Sequence, residues 1–264
     1  MVIDCITFFR ENFITNIRFE ILYDSVDYFV VCESRYDHRG NKKKLNFKLK
    51  NKKFKKKIIY LVLDEPFPKN FNSWERQAYQ REYIFNGLKN FDGNDYVMFS
   101  DPDEIPNPKI LKKFFLKKKY GIFLQKHFVY KFNVFNHYST PWEGTRICKL
   151  KDLTSINFMR QKVLMKNIKK WWRPDKEKNI QIIKNGGWHF KDIFSADELS
   201  IKLKTFAHTE FQKHRFSNLA VISKKIKNYY DIYGKNEIYK KIKLDKSFPE
   251  YIVRNKIYFK KFIV

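Results

Sequence analysis

The sequence is poor in the residues that mark secreted scaffolds, repeats or membrane spans. Only three of its 264 residues are cysteine. Cys5, Cys32 and Cys148 are odd in number and widely spaced, which gives neither a disulfide framework nor a zinc pattern. Cys5 and Cys32 lie inside apolar runs and read as buried thiols in a reducing compartment. Glycine and proline number eight each, and no Gly/Ser linker or internal repeat divides the chain. No apolar run approaches the ~20 residues of a membrane span. The opening "MVIDCITFFREN" has no basic residues ahead of its short apolar run, so it does not read as a signal peptide. We therefore expect a cytoplasmic protein, with peripheral contact at an anionic inner membrane face as a further expectation.

Acid is scarce as well. There are 28 acidic residues against 55 basic ones, a net charge of +27. Aromatics reach 18% and hydrophobics 43%, so this is a folded basic protein with a core, not a disordered polycation. Such charge attracts polyanions. Lysine far outnumbers arginine, whereas specific readout of bases and phosphates favours arginine forks. No specific nucleic-acid partner is expected. The densest basic run, Lys42 to Lys57, is interrupted by Leu45, Phe47, Leu49 and Phe54. That pattern predicts a solvated loop and edge strand guarded by lysine, with a polyanion- or membrane-binding patch as the alternative.

Short apolar runs alternate with helical patterns through the first half. Strands are predicted at Val2 to Phe9, Asp27 to Ser34, Lys57 to Leu63 and Asp95 to Ser100. Helices are predicted around "ENFITNIRFEILYDSV" and "NSWERQAYQREYIFNGLKN", the latter capped by Asn72 or Ser73. A further helix is predicted over "NPKILKKFFLKKK", with Asn107 as cap and Pro108 at its first position. Longer strands at "YGIFLQKHFVYKFNVF" and "TRICKL" form an antiparallel side, "GGWHF" is a short strand, and a helix begins at Ser195. The last sixty or so residues read as mostly helical. The rhythm is that of an α/β domain with a mainly parallel sheet.

The few acids are not evenly spread. In "YVMFSDPDEIPNP", Asp101, Asp103 and Glu104 crowd the end of a predicted strand. Ligands of open α/β sheets sit beyond the carboxyl ends of strands. On an extended backbone Asp101 and Asp103 point the same way, and two such carboxylates need a cation. Mg²⁺ or Mn²⁺ takes few protein carboxylates and completes its shell with water and phosphate oxygens. The bland alternative is a pair of acids capping the next helix.

Several segments, in order, resemble glycosyltransferase family 17. They are "IDCITFFREN", "IRFEILYDSVDYFVVCES", "WERQAYQR", "SDPDEIP" and "GGWHF" followed by "ELSIKLKTFAHTE". The resemblance implies a GT-A-type fold, with a mixed, mainly parallel sheet flanked by helices and a C-terminal helical extension. Residues 1–210 would be the transferase domain, nucleotide-binding to about 104 and acceptor-binding beyond, with 211–264 packed on it. It implies a metal-dependent, inverting transfer of a sugar, GlcNAc from UDP-GlcNAc, to a hydroxyl of a glycan or polysaccharide acceptor. Under this reading Asp103 binds the metal directly, and Asp101 contacts both metal and ribose. Glu104 orients them or caps a helix. Glu33 reaches ribose or base, and Arg81 the diphosphate, with Arg76 and Trp74 as weaker candidates. His189 supplies the third metal ligand ahead of His208, helped by Gly186 and Gly187, which permit close backbone approach to a ligand. Trp188 stacks on a sugar or fills the core. Glu143 is the expected base, with Asp192 and Glu210 as rivals. The competing class is a polyanion-binding module without catalysis, which would be indifferent to divalent ions and to Asp103.

Overall fold

The computed structural model describes residues 1–205 and 218–264. Its centre is β1 (Val2–Phe8), a strand that is almost wholly buried. Such near-continuous apolar strands belong to sheets covered on both faces. β2 (Tyr28–Ser34) and β4 (Tyr96–Ser100) flank β1 in parallel, and β3 (Ile58–Leu63) extends the parallel set beyond β2. Helix α1 (Asn12–Leu22) connects β1 to β2. Helix α2 (Ser73–Glu82) precedes β4 and opens with a capping box between Asn72 and Glu75. β5 (Glu104–Pro106) and the single-turn helix α3 (Pro108–Leu111) follow directly.

Beyond β4 the sheet turns antiparallel. β8 (Trp142–Lys149) pairs with β4, and β6 (Tyr120–Val129) pairs with β8. β9 (Ile180–Lys191) runs parallel to β6 and also carries β5. β7 (Val134–Phe135) and β10 (Lys240–Lys241) close that edge. One apolar layer packs α1 and Phe248, Ile252 and Phe259 against the sheet. The other layer packs Ile156 and Met159 of α4 (Ile156–Lys162) against Val97, Phe99 and Cys148. A third cluster joins α5 (Ala196–Thr205), α6 (Leu219–Lys227) and the end of β6.

Four sequence expectations change. The helix predicted from Asn107 stops after one turn. Tertiary packing takes over there, with Phe114 stacked between Tyr96 and Phe123 and Leu116 buried. The Lys42 to Lys57 run forms no edge strand. Its backbone bonds instead go to two amide side chains of α1, with Asn12 and Asn16 each contacting Lys48 and Asn16 also accepting from Lys50 N. Phe54 is buried within a short 3-10 turn. The segment "GGWHF" is the end of a strand twelve residues long. The C-terminal stretch, among its described residues, holds α6, α7 (Glu250–Arg254) and 3-10 turns, but it also supplies β10 and core aromatics.

The connection that positions the acidic cluster is a buried ion pair. Arg18 of α1 grips Asp4 of β1 with two bonds of 2.7 and 2.6 Å. Its remaining donors reach the Glu104 carbonyl at 2.7 Å, the Asp101 carbonyl at 3.3 Å and Ser100 Oγ at 2.7 Å. Both side chains are essentially inaccessible. Removing one partner of a buried pair leaves an uncompensated charge and costs about 3–5 kcal/mol. Arg18→Met should lose stability on that scale in urea unfolding, with much of the loss recovered by adding Asp4→Leu. An Arg18→Met protein as stable as the parent would contradict the clamp.

Candidate active site

The acidic stretch is a turn and not an extended strand end. The Glu104 amide donates to the Asp101 carbonyl at 3.0 Å. The carboxylates therefore diverge, correcting the expectation that Asp101 and Asp103 point the same way. Asp101 turns toward α4, where Arg160 Nη2 lies 2.8 Å from Oδ2. Asp103 turns toward β9, with Oδ1 3.6 Å from His189 Nε2. The Asp103 carbonyl accepts from Phe190 N at 2.8 Å, which ties the turn to β9.

Glu104 is fully buried and is neither a helix cap nor a surface acid. Its Oε1 accepts from Arg160 at 2.7 Å and from the Trp142 indole at 2.7 Å. It thus orients the site through Arg160, which bridges Asp101 and Glu104. Burial lowers the Arg160 pKa, but Glu104 and Asp101 outweigh it and hold the guanidinium firmly charged. Burial likewise raises the Asp101 carboxyl, and Arg160 with Arg81 outweighs it, bringing the group to about 2.

Arg81 is 3% exposed at the end of α2 and donates to Asn157 Oδ1 at 2.8 Å. Its Nε has no partner among the described residues. Burial lowers its pKa to about 10, and the field of Asp101 works against that drop. A buried guanidinium with donor capacity to spare, facing an aspartate, suits an anionic ligand. Arg146, also buried, donates to the carbonyls of Glu143 and Gly144. Sequence reasoning missed Arg160, Arg146, Trp142 and His127. One signal for α4 was present: Ser155 caps a helix whose Ile156 and Met159 face the core.

The two histidines of β6 and β9 stack face to face. His127 and His189 have ring centroids 4.4 Å apart and planes 12° apart, with Trp142 against His189 at 4.7 Å. Among the described residues neither nitrogen of His127 has a partner, nor does His189 Nδ1. Burial, then the field of His189, drives the His127 pKa well down, so its ring is neutral. Stacking, not a hydrogen bond, thus orients His189 beside Asp103.

The other expected residues have contacts of their own. Glu33 is buried and bonded within the protein. Its four acceptor positions are filled by Lys43 Nζ and Asn46 N on Oε1, and by Phe47 N and Tyr60 OH on Oε2. Glu143 is partly exposed, with Oε2 accepting from Met165 N at 2.9 Å and from Arg146 Nη2 at 3.4 Å. Trp142 and Glu143 are consecutive on β8 and so point to opposite faces of the strand end. Asp192 is buried and engaged by Lys202 and Tyr233. Trp188 is a core residue, its indole donating to Ser247 O. Trp74 is exposed, and Arg76 lies over Gly40. Gly187 has φ +135°, and a Cβ there would collide with Ile105 O. The close approach that Gly187 permits is that of β5, not of a ligand. His208 and Glu210 lie outside the described residues. Two cavities, of about 320 and 680 Å³, lie along α1 and the C-terminal segment and include none of Asp101, Asp103, Arg160 and His189.

Among the described residues no group of three or more His, Cys, Asp and Glu side chains is arranged to hold a metal. Asp103 and His189 form a two-donor edge. That suits an ion which completes its shell with water and diphosphate oxygens.

A sequence pattern describing glycosyltransferase family 17 matches residues 1–250. The chain belongs to glycosyltransferase family 17. It is 34% identical over 116 residues to the rat and human β-1,4-mannosyl-glycoprotein 4-β-N-acetylglucosaminyltransferases. Those matches cover 40% of this chain and 21% and 22% of the relatives, so the chain spans only about a fifth of their length. Among solved structures it resembles a glycosyltransferase involved in glycosylation of the major capsid of PBCV-1 (TM-score 0.31, 11% identity, 69% of this chain and 81% of that one). It also resembles glucosyl-3-phosphoglycerate synthase from Mycobacterium tuberculosis, in complex with Mn²⁺, UDP-glucose and phosphoglyceric acid (TM-score 0.38, 12% identity, 96% and 91% covered). The parallel set β3-β2-β1-β4 with its antiparallel flank is the α/β architecture expected of this transferase family.

The Arg160 bridge has a pH signature. The depressed Asp101 carboxyl contributes stability that is complete above the ordinary aspartate pKa of about 3.9. That contribution is lost as pH falls through about 2. Arg160→Met should therefore raise the pH of the acid-unfolding midpoint in circular dichroism. A midpoint that does not move would contradict the bridge.

Proposed function

We propose that the protein is a metal-dependent, inverting glycosyltransferase that moves GlcNAc from UDP-GlcNAc to a hydroxyl of a glycan or polysaccharide acceptor. The observation that carries this reading is the acidic turn at the carboxyl end of β4, with Asp103 held against His189. The family match and the name of the mammalian relatives support the transferred sugar.

In this reading Asp103 and His189 Nε2 would hold the divalent ion, Mn²⁺ or Mg²⁺. When bound, the ion neutralises charge on the diphosphate. Asp101 keeps one oxygen on Arg160 and would offer the other to the ion and the ribose. Arg81 donates its spare N–H groups to the diphosphate as the bond to the anomeric carbon breaks. The acceptor hydroxyl attacks from the opposite face, and its proton passes to Glu143. Glu143 is the accessible choice, since its side chain is partly exposed while Asp192 is fully buried in its ion pair with Lys202. Arg160 and Glu104 keep Asp101 ionised and fixed.

Two measurements separate donor binding from transfer. Mn²⁺ should raise thermal stability with UDP more than with GDP or CMP, and Asp103→Ala should weaken that Mn²⁺–UDP binding at least about tenfold. Equal stabilisation in Asp103→Ala would reject the metal assignment. Glu143→Gln should bind Mn²⁺–UDP normally yet lose transfer, and full activity in that variant would reject the base.

A further inference from the structure

The loop between α4 and β9 exposes two adjacent tryptophans. Trp171 is 81% exposed and Trp172 59% exposed, with rings 6.1 Å apart and nearly perpendicular. Met165, before them, is also exposed. The loop is anchored, since Met165 N donates to Glu143 and Lys178 Nζ donates to the Trp171 carbonyl. Residues Lys162 to Lys178 hold seven basic side chains and two acidic ones. Both acids are already engaged, Asp175 by Arg173 and Lys176, and Glu177 by the Asn179 amide. The surface around the indoles is therefore net cationic.

Large exposed aromatic patches mark an interaction surface. Two occupants suit tryptophan: a sugar face and a membrane interface. A sugar platform presents a flat ring with hydrogen-bonding groups at its rim to read hydroxyls. Here the rings stand edge to face, and the neighbours are mostly lysines that need an anion. Indoles favour the headgroup region of a bilayer, and lysines near the surface are drawn to anionic lipid.

We propose that Trp171 and Trp172, with the surrounding lysines, form a peripheral membrane-docking patch for anionic phospholipid. The loop is anchored on Glu143, but its exposed indoles and lysines are not among the residues assigned to the transfer reaction above, and the proposal does not rest on that reaction.

The test is co-sedimentation of the full chain with vesicles of equal parts phosphatidylglycerol and phosphatidylcholine, at about 0.15 M salt, against phosphatidylcholine alone. The parent should bind the anionic vesicles with a blue shift in tryptophan emission, and bind neutral ones far less. Trp171→Ser with Trp172→Ser should reduce binding roughly tenfold or more and remove the shift. Lys169→Ser with Lys170→Ser should weaken binding and flatten its salt dependence. Melting temperature and Mn²⁺–UDP binding, unchanged in both variants, would show that the fold and the nucleotide site are intact. Undiminished binding by the tryptophan variant would overturn the proposal and leave only diffuse charge attraction. A parent that ignores vesicles would overturn it too, and an emission shift with soluble oligosaccharide would then identify a sugar platform.

Discussion

Arg18 and Asp4 form an ion pair in the apolar layer between α1 and the sheet. Desolvating two charges is costly, and burial is tolerated only when every donor is used. Arg18 meets that condition by reaching past Asp4 to Ser100 Oγ and to two carbonyls of the acidic turn. The turn's shape is thus set from beneath, by a residue that contacts no carboxylate of the site. α1, β1 and β4 all meet at Arg18, which ties the site's backbone to the core.

Above this foundation, charge is arranged in alternation. Arg160 sits between Asp101 and Glu104, and Arg81 faces Asp101 with part of its hydrogen-bonding capacity unused. The protein's surplus of lysine is mostly a property of its surface. At the site, buried arginines take over, as suits planar forks that meet carboxylates and phosphates. A cation held by Asp103 and His189 would stand on the other side of the turn from these guanidiniums. A diphosphate between them would meet positive charge from both directions.

Much of this was legible in the chain. The four parallel strands announced themselves as short apolar runs, and Asp101 and Asp103 as acids in a basic sequence. The family's ordered motifs drew attention to His189, which the fold places 3.6 Å from Asp103. What could not be read was where non-local partners would come from. Arg160 lies 59 residues beyond Asp101, on a short helix whose two-residue apolar stripe is a weak signal. Arg18 looked like one more polar residue on an amphipathic helix. For Glu33, strand-end position alone does not reveal that a distant Tyr60 and the Lys43–Phe47 loop engage its oxygens. The Lys42 to Lys57 run alternates like a strand, yet α1 offers its backbone Asn12 and Asn16 instead of a neighbouring strand.

The central claim is that the turn fixed by Arg18 presents Asp103 and His189 as one edge of a divalent-cation shell completed by nucleotide diphosphate. Anomalous diffraction from crystals grown with Mn²⁺ and UDP tests it most directly. A manganese peak within bonding distance of both Asp103 and His189 Nε2, touching the diphosphate, is the expected result. UDP bound without manganese there, or manganese bound elsewhere on the nucleotide, would contradict it.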